Sequence, residues 1–351
     1  MGQCSLRYRE KEFPLTGFQS IWQYALGVIV SFVLPVIVSA QETEGYTTPW
    51  LPQNVFEGSR SIDSMFNIIL YLTMATLIGV LITMAVFLYR YRHRQGRRAI
   101  YTHGNPRLEA VWTLIPTVIM ILIVAFSQST WDELKNPQRM PQGEDVVKVH
   151  VWGRQFNWFF HYPGQDGKHG KTDYVWRQNT GDPAQEIGLK RGYVDDFLDP
   201  EQIEMFESDP KNADVIESDP AAFDDVVTSV MYIPVNKKVH IQISSIDVLH
   251  SFFVPQFRVK QDAVPGLSGH IWLEASKTSA EVVGQFSPGE PKPFDIICAE
   301  LCGQGHYKMR GQMFVVSDDD YKSWLADNAP EEGEFEDEYD DEEYDEGDEE
   351  E

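Results

Sequence analysis

Cysteine is scarce in this chain of 351 residues, which holds only Cys4, Cys298 and Cys302. Three cysteines cannot support a small disulfide-stapled fold, so the chain is not a disulfide scaffold. The sequence also lacks a Cys-x-x-Cys-His motif, which excludes a covalently attached c-type haem. Any thiol chemistry therefore centres on the two late cysteines, which lie four residues apart.

Basic residues are also few, and the formal net charge is −25. Sixteen of the acids lie in residues 331–351, which contain no Lys or Arg, and removing them leaves −9. A block of like charges repels itself and buries little, so we predict a disordered acidic tail over 329–351. The acidic remainder argues against nucleic acid as a partner, because phosphate binding needs a basic face. It suits a basic protein partner or a salty exterior.

Residues 1–40 carry scattered basic residues, then an apolar stretch that ends in Val38-Ser39-Ala40. This pattern predicts a secretory signal peptide that is cleaved after Ala40, with an exported N-terminal segment over 41–62. A third membrane helix is the alternative, but the apolar stretch is short and contains Pro35. Cleavage would remove Cys4.

Charge is absent from Met65 to Tyr89. Because this run can cross a hydrocarbon core of ~30 Å, we predict a transmembrane helix over 63–90. A second apolar stretch predicts another over 109–131, where Pro116 is tolerable because a neighbouring helix or water can satisfy the freed carbonyl. The link over 91–108 has several arginines and no acid, so the positive-inside rule places it in the cytoplasm. Both ends of the hairpin then face the exported side.

The exported part has the pattern of short strands separated by Pro, Gly and Asp. Five runs show it: Val146–Trp152, Val239–Ile243, Gly269–Glu274, Phe294–Ile297 and Met313–Val316. They predict a β-sandwich or barrel over 140–328, which ends in a short helix capped by Asp318. An acidic stretch over 173–225 interrupts the pattern and predicts a surface insertion with one or two short helices.

The residues that carry chemistry cluster in Cys298-Ala-Glu-Leu-Cys302-Gly-Gln-Gly-His306-Tyr-Lys-Met309. Thiolates with imidazole select copper, zinc or iron–sulfur clusters. A single blue copper needs one cysteine, two histidines and a weak methionine, so two cysteines could instead bridge two copper ions. Each copper would then need its own imidazole, and the predicted second one is His250. A disulfide and a zinc site are the alternatives, although Met is an unusual zinc ligand.

With these residues in place, the sequence resembles subunit II of cytochrome c oxidases, from the membrane hairpin to Val316. The resemblance is carried by the cysteine cluster and four further stretches: Glu109–Pro116, Val151–Trp158, Asp247–Ser251 and Gln261–Gly266. It implies an α+β membrane protein of the cell inner membrane, in which a two-helix transmembrane hairpin precedes an exported cupredoxin-like Greek-key β-sandwich.

The resemblance also implies a dinuclear copper centre, CuA. Its ligands would be His250, Cys298, the backbone carbonyl of Glu300, Cys302, His306 and Met309. The Glu300 carboxylate would reach a magnesium ion shared with subunit I, a hard cation that suits an oxygen ligand. Apolar neighbours are expected to exclude water and tune the potential: Phe252, Phe253, Val254 and Leu301.

Further roles follow from the same resemblance. The family commonly has a tryptophan where cytochrome c delivers its electron, and in this sequence that position is Phe156. The candidates for electron entry are therefore Phe156 and Trp158, with Trp152 nearby. Trp158 is equally well explained as sandwich core. Glu109 matches the mouth of a proton pathway into subunit I. Asp247 matches an acid that docks cytochrome c, whose basic face it would attract.

The implied function is transfer of electrons from cytochrome c, or a similar separate donor, to the haem centres of subunit I. Oxygen is reduced to water there, coupled to proton translocation, and subunit III and membrane lipid are further expected partners. A quinol oxidase subunit would lack the copper ligands. A membrane-anchored copper electron carrier without an oxidase partner is disfavoured by Glu109 and Glu300, which would face subunit I. Copper delivery proteins tend to use exposed Met or Cys motifs.

Overall fold

The computed structural model describes residues 51–98, 101, 103–192, 198–208 and 213–330. The predicted signal peptide and the acidic tail from residue 331 onward lie outside these residues. The described chain divides into two compact units. The membrane unit comprises residues 61–129, and the exported unit comprises residues 51–60 together with residues from 130 onward.

Two long helices, α1 (Arg60–Arg90) and α2 (Pro106–Lys135), account for the membrane unit. Each is about 45 Å long at 1.5 Å per residue, and each contains a window with a mean hydropathy of 2.3. Asn105 begins α2, because its side chain accepts hydrogen bonds from the backbone N–H groups of Arg107 (3.0 Å) and Leu108 (3.4 Å). The helix continues through Pro116, as the sequence predicts.

The exported unit is built from twelve described strands. They are β1 (Val147–Arg154), β2 (Asn157–Tyr162), β3 (Val226–Thr228), β4 (Val230–Pro234), β5 (Lys238–Ser245), β6 (His250–Val254), β7 (Val259–Ala263), β8 (Gly269–Glu274), β9 (Gln285–Ser287), β10 (Glu290–Pro291), β11 (Phe294–Cys298) and β12 (Arg310–Val316).

Ten of these strands form two five-stranded sheets. The first has the order β3-β2-β1-β5-β8 and the second the order β4-β12-β11-β6-β7, while β9 and β10 make a separate hairpin. The pairs β1–β5 and β4–β12 are parallel and the others antiparallel. The predicted β-sandwich is confirmed, and all five predicted runs are strands. The other seven described strands were not predicted; β2, the longest of them, was missed because its buried aromatic run does not alternate.

The main core lies between the two sheets, where residues that alternate along each strand meet. Val149 and Val151 of β1 and Ile241 and Ile243 of β5 are fully buried there. Residues 51–60 belong to the same core: Val55 and Phe56 are buried, and Val55 pairs by backbone hydrogen bonds with Gln256 (3.0 Å) and Ser276 (2.8 Å).

The described residues of the acidic stretch over 173–225 contain three short helices, not one or two: α3 (Pro183–Ile187), α4 (Pro200–Glu207) and α5 (Ala213–Ile216). Part of it packs on the outer face of the first sheet. There a second cluster of buried side chains forms around Trp152 and Phe159, with Ala184, Ile187, Leu189 and Ala222. The stretch is therefore partly core and not only surface.

The last described helix, α7 (Asp318–Asp327), follows β12 (α6 being the single turn Ser279–Val282). The prediction that Asp318 caps it is wrong. The cap is Ser317, whose hydroxyl accepts a hydrogen bond from Asp320 N at 3.1 Å, because the capping residue keeps an extended backbone just before the first helical residue.

Candidate metal centre

Strand pairing brings the two halves of the cysteine–histidine cluster together. His250 is the first residue of β6 and Cys298 is the last residue of β11. The two strands are antiparallel neighbours at the centre of the second sheet, with Cys298 opposite Phe252. The loop after Cys298 carries Cys302 and His306, and Met309 ends it just before β12.

The side-chain donors converge on the two sulfur atoms of Cys298 and Cys302, which lie 3.8 Å apart. His250 Nδ1 is 3.9 Å from Cys298 Sγ. On the other side, His306 Nδ1 and Met309 Sδ are 3.6 and 3.7 Å from Cys302 Sγ. A disulfide needs sulfur atoms about 2.05 Å apart, so the two thiols are free.

The Glu300 carbonyl completes the set, at 3.2 Å from Cys298 Sγ. His250 and Met309 are 0% exposed, and the two cysteines are 4% exposed. Burial raises the pKa of the Cys302 thiol to about 11, and the neighbouring Cys298 adds to the rise. A buried pair of thiols among imidazole and thioether donors fits a soft metal ion, which binds the thiolate form.

Asp247 holds His250 from behind. Its Oδ1 accepts a hydrogen bond of 2.8 Å from His250 Nε2, and its Oδ2 accepts one of 2.8 Å from Gln155 N. Burial alone would raise the pKa of Asp247, but hydrogen bonds from His250, Gln155 N and Val248 N lower it below the usual value. The carboxylate thus fixes the His250 tautomer and leaves Nδ1 facing the thiols.

Gln155 is a residue whose role sequence reasoning missed. Besides its backbone contact with Asp247, its side-chain Nε2 donates to the carbonyl of Cys302 at 2.5 Å. It therefore ties the metal-binding loop to the Asp247–His250 pair. The only signal in the sequence is its place between Gly153 and Trp158 in the aromatic motif.

The aromatic candidates for electron entry occupy different positions. Phe156 is half-buried and its ring lies against the loop glycines, so a Cβ atom on Gly305 would overlap it. Trp158 is 1% exposed, and its ring centre lies 5.9 Å from that of His250. Trp152 packs in the second core, on the other face of the sheet.

The remaining predicted neighbours divide into buried and exposed residues. Phe252 and Val254 are 0% exposed and Phe253 is half-buried. Leu301, which was expected to exclude water with them, is 77% exposed in this chain, so within this subunit it does not cover the pocket. Its side chain leaves the loop on the solvent side, as does that of Glu300. Glu109 is exposed in the first turn of α2, in the membrane unit.

Comparison with known proteins decides the family. Family models for the transmembrane domain and the periplasmic domain of cytochrome c oxidase subunit II match residues 56–129 and 195–316. Cytochrome c oxidase subunit 2 of Cereibacter sphaeroides is 32% identical over 252 residues, which cover 71% of this chain and 70% of that protein. The chain belongs to the cytochrome c oxidase subunit II family.

Other members of the subunit II family are similar over much of the chain. The alternative cytochrome c oxidase subunit 2 of Bradyrhizobium diazoefficiens is 29% identical over 299 residues, which cover 84% of this chain and 90% of that protein. The crystal structure of the periplasmic domain of subunit II of cytochrome oxidase of Bradyrhizobium japonicum is 24% identical. It covers 54% of this chain and 96% of that chain, with a TM-score of 0.31.

Membership in the subunit II family fixes the broad role. The chain is a subunit of an oxidoreductase complex, an inner-membrane protein with two apolar helices and an exported β-sandwich. The cluster of His250, Cys298, Cys302 and Met309 is consistent with the copper site of this family.

Proposed function

We propose that this subunit II accepts electrons from cytochrome c, or a similar separate donor, at a dinuclear copper centre. It passes them to the haem centres of subunit I, where oxygen is reduced to water and protons are translocated. The observation that carries the proposal is the convergence of two free thiols, two imidazoles and one thioether, of which only the His306 imidazole is partly exposed.

The copper ions would be held by His250, Cys298, the Glu300 carbonyl, Cys302, His306 and Met309. Copper held there would supply one-electron transfer, because it would accept and release single electrons while the thiolates of Cys298 and Cys302 remain its ligands. The protein's part is to hold the ligands in place. Asp247 orients His250, Gln155 fixes the carbonyl of Cys302, and the buried Phe252 and Trp158 keep water away from the pocket.

Electron entry is proposed at Phe156, with Trp158 as the inner aromatic residue. Phe156 supports this role because its ring is half-exposed and touches the loop between Cys302 and His306. Trp158 lies behind the loop and contacts His250 edge to face. Phe156 would thus receive the electron at the surface, and Trp158 lies against a proposed copper ligand.

The remaining roles concern the partners. The exposed Glu300 carboxylate is free of this chain's core and is proposed to bind a magnesium ion shared with subunit I, with subunit III as a further partner. Glu109 is proposed as the entrance of a proton pathway. Asp247 is proposed to contribute to docking of the donor. The signal peptide is also proposed to be cleaved after Ala40. Residues 63–90 and 109–131 are proposed to span the membrane.

The copper stoichiometry of the purified full chain tests the proposal. We expect two copper ions per chain and a purple oxidised state, both lost in Cys298→Ser and Cys302→Ser. His240→Gln serves as a matched control, because His240 is a histidine of the same domain outside the cluster. One copper per chain, or zinc in preference to copper after native purification, would count against the proposal.

A further inference from the structure

A second group of metal-binding side chains lies apart from the copper ligands, on the outer face of the first sheet. His161 is in β2, His169 is in the loop that follows, and Asp225 immediately precedes β3. One ligand atom from each of the three lies within 4.8 Å of the others. None of the three has a part in the proposed function.

The Asp225 carboxylate is fully buried and firmly held. Its Oδ2 accepts hydrogen bonds from His161 Nε2 (2.5 Å) and Gly170 N (2.6 Å), and its Oδ1 accepts one from Gly164 N (3.0 Å). A side chain at either glycine would overlap Ala222 or Asp224, so glycine is what lets the two N–H groups approach. A carboxylate bonded to the back of an imidazole is the usual arrangement behind a metal-binding histidine.

Both histidines have a nitrogen left over. His161 is 0% exposed, and its Nδ1 has no hydrogen-bond partner among the described residues; the same is true of the buried Nδ1 of His169. A buried polar atom without a partner destabilises the folded state, so two such atoms in adjacent rings need an explanation. Burial also lowers the pKa of His169 to about 3, which keeps its ring neutral with a lone pair available.

The spacing of the rings suits a shared ion. The ring centres of His161 and His169 are 4.7 Å apart at an angle of 66°. A zinc–nitrogen bond is about 2 Å long, and the ring centre lies about 1 Å behind the nitrogen, so two imidazoles on one tetrahedral ion have centres roughly 5 Å apart.

We propose that His161 and His169, with Asp225 behind His161, form a second metal site that takes Zn²⁺. Two imidazoles, one of them backed by a carboxylate, offer nitrogen ligands and no sulfur, which suits zinc better than the soft ligands of the first site suit it. A cavity of about 430 Å³ lined by His169, Lys148, His240 and Gln242 gives an ion a path to the site.

The position of the site gives it a structural role. His169 lies just before the acidic stretch over 173–225, and Asp225 is its last residue. A metal ion bound here would join the two ends of that stretch to each other and to β2. The ion would cross-link the stretch that forms the second core on the first sheet, and would stabilise that stretch in its folded conformation.

Zinc binding by the full chain, with its copper site loaded, tests the proposal. The copper-loaded protein is freed of other metals and titrated with Zn²⁺ against a competing chelator. We expect one zinc per chain, a higher unfolding temperature with zinc, and an affinity about 10–100-fold lower in Asp225→Asn. His169→Gln, at a partly exposed position, should abolish this binding. His103→Gln, which alters an exposed histidine in the link between α1 and α2, should bind zinc like the parent protein.

X-ray absorption at the zinc edge identifies the ligands without any variant. Two imidazoles and oxygen around the zinc support the site, whereas sulfur would show that zinc occupies the cysteine pocket. Absence of stoichiometric zinc, equal affinity in His169→Gln, or loss of binding in His103→Gln would each overturn the proposal. The copper absorption of every variant confirms that it is folded.

Discussion

The hydrogen bond from His250 to Asp247 allows a quantitative test of how the copper ligand is held. In Asp247→Asn the charge is lost, and the new NH₂ group meets the Gln155 N–H that the carboxylate accepted. A hydrogen bond to a charged group contributes about 1.5–3 kcal/mol, and loss of such a partner behind a metal ligand costs about 10–100-fold in affinity. The Asp247 side chain is 27% exposed, and water therefore screens part of its interaction with His250. We expect the loss of copper affinity to be at the lower end of this range, about tenfold.

The assay is competition for copper between the full chain and a chelator. Asp295→Asn is the matched control, since Asp295 is an exposed acid three residues before Cys298, as Asp247 is three residues before His250. We expect about tenfold weaker copper binding in Asp247→Asn and no change in Asp295→Asn. Equal copper affinity in both variants and the parent would refute the idea that this hydrogen bond holds His250, and equal losses would assign the effect to charge alone.

Further expectations follow from other contacts. Met309→Leu should keep copper, because the swap conserves volume, yet shift the redox potential and slow electron entry; complete copper loss in metal analysis would contradict this. Glu109→Gln should slow turnover of the assembled oxidase with copper unchanged, and equal turnover would remove Glu109 from any proton path. Gly305→Ala should displace the Phe156 ring that it overlaps and lower the stopped-flow rate with the donor; an unchanged rate would argue against entry through Phe156. Deletion of 331–351 should lower that rate less than Asp247→Asn at low and physiological salt, because exposed charges more than about 8 Å apart are largely screened; a larger effect of the deletion would make the tail a docking element.

The strands of the sandwich could be predicted where one face is buried and the other exposed. β5 alternates along its length and was found with small errors at its ends. β2 was missed because five of its six residues are buried, so period-2 alternation is lost. β6 is short and similarly buried, and its role became clear only when its pairing with β11 was known.

The metal ligands could be proposed from the sequence because four of the proposed ligand side chains lie within twelve residues. The contacts that hold them could not. Gln155 is 147 positions from Cys302 and 92 from Asp247, and only the sheet register brings them together. Likewise, Asp225 is 64 positions from His161, so no spacing signal marks that pair. The family resemblance suggested a docking role for Asp247, whereas its hydrogen bond to His250 depends on the folded structure.

The packing of residues 51–60 bears on how the protein is made. Val55 contributes to the sandwich core through partners around residues 256 and 276, yet the two membrane helices lie between them in the chain. The exported domain therefore cannot complete its core until both helices have been synthesised and inserted. A fragment that starts at residue 130 would leave the Val55 and Phe56 sites unfilled, so its exposed apolar groove would invite aggregation. Folding of the exported domain, which carries the proposed copper site, would therefore be complete only after the two helices have entered the membrane.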